Sequence, residues 1–379
     1  MEIKLQAKEL AKKLEQVSRV VQVNTVIPIL KNVLVETRGD VALITASDSE
    51  MWLSVKCELL ENSQDLRLCV NANDMLSLIK NLGDRQITIT IDEESSSITC
   101  GYESGKFTIP YDNADEFPKA NMNGDDLHSI IMDSSKLLNA MEMTRFAAAD
   151  SDKLMPSLNG VHIDFSEEGM VSVATNKQKA AMFKDKEVSL ETEEKVGFTV
   201  PKKVASVLSA VLEAVDGDVK LSFNDAAIHV NNRDFKLSAR LIEYKYPKYD
   251  MLFVTSRMCT ATINKDMLSL ALKRVTPASN EMSNLVMFKF SNGCVTLSTE
   301  SVEFGKSASE TVTCDCDGDM SIGFKGNSVI DILRNLDDED IVIELSGEQR
   351  PAAFYTVFSH SREEFMVVCT PMILNPLAK

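Results

Sequence analysis

The 379-residue sequence predicts an α+β fold of three consecutive domains, each with two helices packed on antiparallel sheets and an internal pseudo-twofold repeat. Three observations predict it. A strand–helix–strand unit recurs six times, in three consecutive pairs. Period-two segments follow every helical one. The length exceeds what one ordinary core fills.

The first unit reads IKLQAKELAKKLEQV from Ile3, and NVLVET and VALITAS follow it. Leu10, Leu14, Val17 and Val21 fall on one helical face, with Lys8, Lys12 and Arg19 opposite. The second unit is LCVNANDMLSLIKNLGDRQITITI from Leu68. The third starts at Ile130, IIMDSSKLLNAMEMT, followed by GVHIDF and MVSVAT; the fourth is FTVPKKVASVLSAVLEAVDGDVKLSF from Phe198. The fifth, ATINKDMLSLALKRV from Ala261, leads to LVMFKF and CVTLST, and its Lys273 lies opposite a face of Met267, Ala271 and Val275. The sixth is IGFKGNSVIDILRNLDDEDIVIEL from Ile322. The even-numbered units end their helical segments on Leu82, Leu212 and Leu336, and start them near Asn71, Pro201 (a first-turn position) and Asn327. Each also gains a hairpin partner: SITCGYESGKFTI, AIHVNNRDFKLSA and AAFYTVFSH. Turn-rich linkers near 113–126 and 244–257 set domain boundaries at 1–120, 127–250 and 257–379.

Composition excludes several classes. An apolar fraction of 44% with 26% charged residues is that of a soluble globular chain. No apolar run reaches the ~18 residues of a membrane span, and the charged, amphipathic start lacks the pattern of a signal peptide. The expectation is a cytoplasmic protein with no membrane association. The eight cysteines are sparse and expected to be free; Cys314 and Cys316 form C-x-C, but no second pair or histidine completes a zinc site. The four histidines, His128, His162, His229 and His360, come without a nucleophile elbow, P-loop or metal-spaced cluster. Asp337 to Asp340 read as a solvated acidic rim. The expectation is therefore a non-catalytic protein with no cofactor and no metal.

Charge is partitioned. The six helical windows hold 14 basic and 6 acidic residues, although the chain nets −17, so the remainder carries −25. Basic helices against an acidic remainder suit a protein that offers one face to a polyanion and repels it elsewhere. Such contacts neutralise phosphates without reading sequence, and no base-reading motif occurs. Trp52 sits in a strand-like run and reads as packing rather than a stacking platform.

Over essentially its whole length the chain resembles the bacterial sliding clamps, the β subunits of DNA polymerase III. The resemblance rests on IPILKNVLVE at 27–36, ASDSEM at 46–51, FTIP then DEFP within 107–118, LNGVHIDF at 158–165, SVATNK at 172–177, YKYPKY at 244–249 and VVCTPMIL at 367–374. It implies three DNA-clamp domains per chain and a head-to-tail homodimeric ring that encircles double-stranded DNA without sequence specificity. It further implies tethering of the replicative DNA polymerase, the clamp loader and repair proteins by their short linear motifs. The alternative is a non-ring, monomeric peptide-binding scaffold of the same fold.

Carried over residue by residue, the resemblance puts Phe107 and Ile109 on one side of the dimer contact and Pro277 and Ala278 on the other. The peptide pocket between the second and third domains would use Leu158, Thr175, Lys179, Pro247, Met251, Leu252, Pro351, Val368, Pro371 and Met372. DNA-facing candidates are Lys8, Lys12, Arg19, Lys136, Arg145, Lys153, Lys202, Lys273 and Arg334. The chain departs from the family at Thr175–Ala180, TNKQKA in place of T-D-G-H-R-L, where Lys179 lacks an arginine's planar fork. It also has Thr370 for a methionine, Asn24 for a DNA-contacting arginine, and an added tail from Asn375 to Lys379.

Overall fold

In strand Gln86–Asp92, Ile87, Ile89 and Ile91 are buried and the residues between them are not. This one-sided alternation makes antiparallel sheets that bury one face and hold register. The computed structural model describes residues 2–22, 25–120, 127–192, 195–254, 256–356 and 363–372, so Asn24, His360 and Asn375 to Lys379 lie outside the described residues. Among the described residues, the α-helices are α1 (Ala7–Ser18), α2 (Ala72–Ile79), α3 (Ser134–Arg145), α4 (Lys202–Leu212), α5 (Lys265–Val275) and α6 (Gly326–Arg334). They fall in the six predicted windows. None is long and apolar enough to cross a membrane.

The chain divides into two compact units, Met1–Ser135 with Ser206–Leu241, and Lys136–Ala205 with Ile242–Lys379. The first is built on a 13-stranded antiparallel sheet. There Met51–Glu58 of the first repeat pair hydrogen-bonds to Phe235–Arg240 of the second, in the register Phe235↔Val55 to Ala239↔Met51. The second unit has a nine-stranded and a four-stranded sheet. In the larger one Lys179–Asp185 of the second pair runs beside Glu363–Cys369 of the third, from Lys179↔Cys369 to Asp185↔Glu363. The middle repeat pair thus shares a sheet with each neighbour, which is why the compact units do not follow the threefold repeat.

Helices cover the buried faces. α1 buries Leu10, Leu14 and Val17, each worth about 1.5–3 kcal/mol of apolar burial. α1 ends at Ser18, and Val20 N–H closes onto Val17 O (3.0 Å). That tighter step buries Val20 and leaves the expected Val21 only half-buried. On α5 the buried stripe is Leu268, Ala271, Leu272 and Val275, while Met267, expected inside, is 51% exposed on the outer shoulder of the first turn.

Helix starts follow side-chain capping. Asn71 Oδ1 accepts from the N–H groups of Asn73 and Asp74 (both 3.1 Å), and Asn264 Oδ1 from Met267 N–H (3.0 Å). Two expected starts move. Pro201 ends strand Val196–Pro201 and precedes α4 instead of occupying its first turn. Asn327 is the second residue of α6; Gly326 opens that helix because a Cβ there would collide with Thr276 and Val286. Leu212 closes α4, but α2 and α6 stop before Leu82 and Leu336, although Leu336 is still buried. After α2, Gly83 adopts φ +64° and turns the chain away.

Trp52 is 9% exposed and donates from Nε1 to Pro118 O (3.0 Å), a packing role. His128 opens strand His128–Asp133. All eight cysteines are free, with Cys294 and Cys316 half-buried and the rest buried. The linker after Arg240 is anchored by buried Tyr246 and Tyr249.

Candidate functional site

In the second unit, the hairpin joining Gly169–Thr175 to Lys179–Asp185 turns within four residues. Thr175 Oγ1 donates to Lys179 O (2.8 Å) and accepts from Lys177 N–H (3.1 Å). Asn176 Oδ1 accepts from the N–H groups of Gln178 and Lys179 (both 3.0 Å), and Lys177 takes φ +73°. The C-terminal segment docks on this turn. Thr370 N–H donates to Gln178 O (2.8 Å), its hydroxyl to Lys177 O (3.3 Å), and Met372 N–H to Gly323 O (2.8 Å). Between turn and segment lies a cleft of 160 Å³, with Thr370, Pro371 and Met372 on one wall, Lys177 and Gln178 on another, and Met282, Lys325 and Ser328 opposite.

Two apolar clusters flank the turn. Leu158 packs with Val173, Met182, Tyr246 and Tyr249, and Val368 with Ala180 and Ala353. Phe253 packs against both. A buried polar network delivers Phe253 there. Tyr249 OH donates to Asp164 Oδ2 (2.5 Å), Lys195 Nζ lies 2.8 Å from the same oxygen, and His162 Nε2 is 3.1 Å from Oδ1. Leu252 N–H then bonds to Tyr249 O (2.9 Å) in the short turn Asp250–Phe253. A side chain at Gly197 would collide with Asp164. Burial alone would raise the Asp164 carboxyl, but His162, Lys195 and Tyr249 outweigh it and hold it at about 2. Burial pushes the Tyr249 hydroxyl well above its ordinary range, and Asp164 adds to this.

Of the expected pocket residues, Leu158, Thr175, Lys179 and Val368 are buried. Pro247, Pro351, Pro371 and Met372 are half-buried. Leu252 is 39% exposed and Met251 is 79% exposed. Phe253, one residue further on, is the side chain that joins the two clusters. Its apolar neighbours Met251, Leu252 and Val254 gave no periodicity by which to single it out. Lys179 pairs with Asp331 of α6 and sits 5.0 Å from the Phe146 ring centroid. Burial pushes its ammonium down to about 8, and Lys202 presses the same way. Lys179 also lines a 730 Å³ cleft with Lys273, Lys325 and Arg334.

The other basic candidates divide. Lys8, Lys12, Arg19, Lys153, Lys273 and Arg334 are exposed. Lys136 instead binds buried Asp185 (3.0 Å) and Glu187 (3.2 Å), Arg145 binds Glu142 (2.8 Å), and Lys202 binds Asp150 (2.6 Å) and Ala148 O (3.1 Å). All three charges are paired within the chain, and that of Lys136 answers a fully buried carboxylate. Among the described residues no group of three or more His, Cys, Asp or Glu side chains is arranged to hold a metal.

Two of the sheet edges among the described residues lie at the expected dimer contacts. Strand Gly105–Asp112 is paired on one flank with Ser97–Tyr102, and on the other only at Tyr111 and Asp112. Phe107 on it is half-buried and Ile109 is 8% exposed. Lys306–Thr313 is an outer strand of the four-stranded sheet, and the turn Thr276–Ala278, with Pro277 exposed and Ala278 half-buried, lies against it.

Comparison with known proteins agrees along the whole chain. Models of the DNA polymerase III beta subunit match at residues 1–122 (N-terminal domain), 131–248 (central domain) and 252–369 (C-terminal domain). The beta sliding clamp of Pseudomonas putida is 25% identical over 354 residues, covering 93% of this chain and 95% of that protein. That of Pseudomonas aeruginosa is 24% identical over 375 residues, covering 99% and 100%. A crystal structure of the Pseudomonas aeruginosa clamp superposes with a TM-score of 0.90 at 24% identity, covering 99% of this chain and all of that one. The Thermotoga maritima beta subunit gives 0.88 at 22%, covering 99% and 100%. With three clamp domains in succession and full-length relatives on both counts, the chain belongs to the DNA polymerase III beta subunit family, the sliding clamps that serve the polymerase as a non-catalytic processivity subunit.

Proposed function

We propose that two copies of this chain close head to tail into a ring that encircles duplex DNA and slides along it without reading sequence. The observation that carries the ring is the pair of open edges. Residues 105–110 in one unit and Lys306–Thr313 in the other are different surfaces of one chain, as a heterologous contact requires, and an unpaired edge is a template for a strand from another copy. Phe107, Ile109, Pro277 and Ala278 flank those edges. Domain boundaries at 1–120, 127–250 and 257–379 and a cytoplasmic location accompany this reading.

Exposed cations at Lys8, Lys12, Arg19, Lys153, Lys273 and Arg334 meet the phosphates, each acting as a screened, sequence-independent contact. The cleft beside Thr370, Pro371 and Met372, on the turn that the apolar clusters of Leu158, Phe253 and Val368 flank, receives an extended peptide from the replicative polymerase, the clamp loader or a repair protein. Lys177 and Lys325, which line this cleft, set the charge at its mouth.

One experiment addresses ring and pocket together. By light scattering at micromolar concentration, the full chain and its Met372→Lys variant both have the mass of a dimer, and only the parent binds a polymerase-derived peptide. A strictly monomeric parent would favour the monomeric scaffold, and unchanged peptide affinity in the variant would remove Met372 from the pocket.

A further inference from the structure

Four of the eight cysteines converge in the last domain. Cys294 opens strand Cys294–Ser301 opposite Thr313, and Cys314 N–H donates to Gly293 O (3.0 Å). Cys316 lies opposite Ala261, two residues along the same strand from Cys259. Cys314 is the single residue between strand Lys306–Thr313 of the four-stranded sheet and the two-residue strand Asp315–Cys316 of the nine-stranded one. Two of the thiols are tied to carbonyls: Cys294 Sγ donates to Ser291 O (3.1 Å) and Cys259 Sγ to Gly318 O (3.4 Å). Cys314 immediately precedes strand Asp315–Cys316, and on extended backbone residues two apart share a face. The fold therefore sets the C-x-C motif at a sheet-to-sheet crossing, and the DNA-binding and peptide-binding readings use neither thiol.

We propose that Cys314 and Cys316 are a redox-modification site, which forms a reversible intrachain disulfide by exchange with a low-molecular-weight disulfide. Cys316 is half-buried and reachable, whereas Cys314 is 8% exposed. Burial, and then the neighbouring Cys316, push the Cys314 thiol up to about 12, and the more exposed Cys316 is the thiol that a small disulfide reaches first. Its sulfur attacks one sulfur of the small disulfide. A mixed disulfide forms at Cys316, and one small thiolate leaves and takes up the proton lost from Cys316. Cys314 then gives its proton to the second departing thiolate as its sulfur attacks Cys316 Sγ. The bond Cys314–Cys316 is made, the protein dithiol is oxidised by two electrons, and the small disulfide is reduced to two thiols. Closing so short a loop adds little entropic stabilisation, which suits a labile bond that small thiols reopen rather than a structural bridge. Reversible bridges of that kind are the ones expected where the surroundings are reducing.

The test incubates the full-length protein in a series of reduced and oxidised glutathione, quenches with acid, alkylates free thiols under denaturing conditions and maps the peptides without reduction. The expected result is one peptide carrying both Cys314 and Cys316 and lighter by two hydrogens, while Cys57, Cys69, Cys100 and Cys369 remain alkylated. The order of steps has its own readout. Cys314→Ser should accumulate a glutathione adduct at Cys316, and Cys316→Ser should accumulate none at Cys314. Full alkylation of both thiols across the series would overturn the proposal. So would a bond mapped to any other pair, or equal adduct formation in the two variants.

Discussion

On α1, Lys12 and Arg19 stand in solvent, and Lys8 reaches only the exposed Asp84 (3.1 Å). On α3 and α4 the same kind of residue is spent differently. Lys136 holds the fully buried carboxylate of Asp185, and Lys202 is bound to Asp150 and a backbone carbonyl. Helical position alone made the two sets look alike, since each lies off the apolar stripe of its helix. What separates Lys136 from the α1 cations is a carboxylate buried within its reach, whereas the Asp150 that Lys202 binds is itself exposed. A surface pair such as Lys8–Asp84 contributes little and leaves the cation available to a phosphate. A lysine that neutralises a buried carboxylate is part of the fold, because removing it strands a charge in a low-dielectric site.

The comparison is broken most directly at Lys136. Lys136→Ala should lower stability by about 3 kcal/mol, read as a fall in the urea midpoint, with little change in the salt dependence of DNA binding. A variant as stable as the parent would mean that Asp185 needs no partner.

A second test uses the other buried carboxylate, Asp164. Its folded pKa of about 2 lies below the 3.8 expected for an unfolded aspartate, so the unfolded chain binds more protons between those values. The stabilisation is present above pH ~4 and is lost as pH falls toward 2, amounting to about 2 kcal/mol. Asp164→Asn should abolish that slope in acid titrations of stability. An unchanged slope would remove the network of His162, Lys195 and Tyr249 from the account.

The smallest stability effect belongs to α1. Replacing Lys8, Lys12 and Arg19 together by Ala should move stability by no more than about 0.5 kcal/mol per site. The slope of log affinity for DNA against log salt should meanwhile fall by about 2 to 3. A loss of stability without a change in slope would invert the contrast with Lys136.

What the sequence made legible follows from the range of each interaction. Six helices, their order and their strand partners were readable because periodicity is local and repeated six times, and the caps at Asn71 and Asn264 act within three residues. Val21, Met267, Pro201 and Asn327 were misplaced by one position or one face, because helix ends respond to packing such as Gly326 against Thr276. The proposed pocket rests on the family resemblance. The packing of Phe253 between the two clusters was not legible, since its position depends on Tyr249 meeting Asp164, 85 residues away in the chain. The fate of Lys136 was hidden for the same reason, with Asp185 brought to it only by the fold. The closeness of Cys314 to Cys316 was visible as spacing, but the company of Cys259 and Cys294 was not, since only strand pairing brings them there.

A ring around duplex DNA is held by topology, so its retention depends on whether the DNA has ends. Loaded onto nicked circular duplex, the protein should stay bound through a high-salt wash and leave once the circle is cut to a linear form with free ends. Equal retention on circular and linear DNA, or loss from both in high salt, would contradict a ring that encircles the duplex.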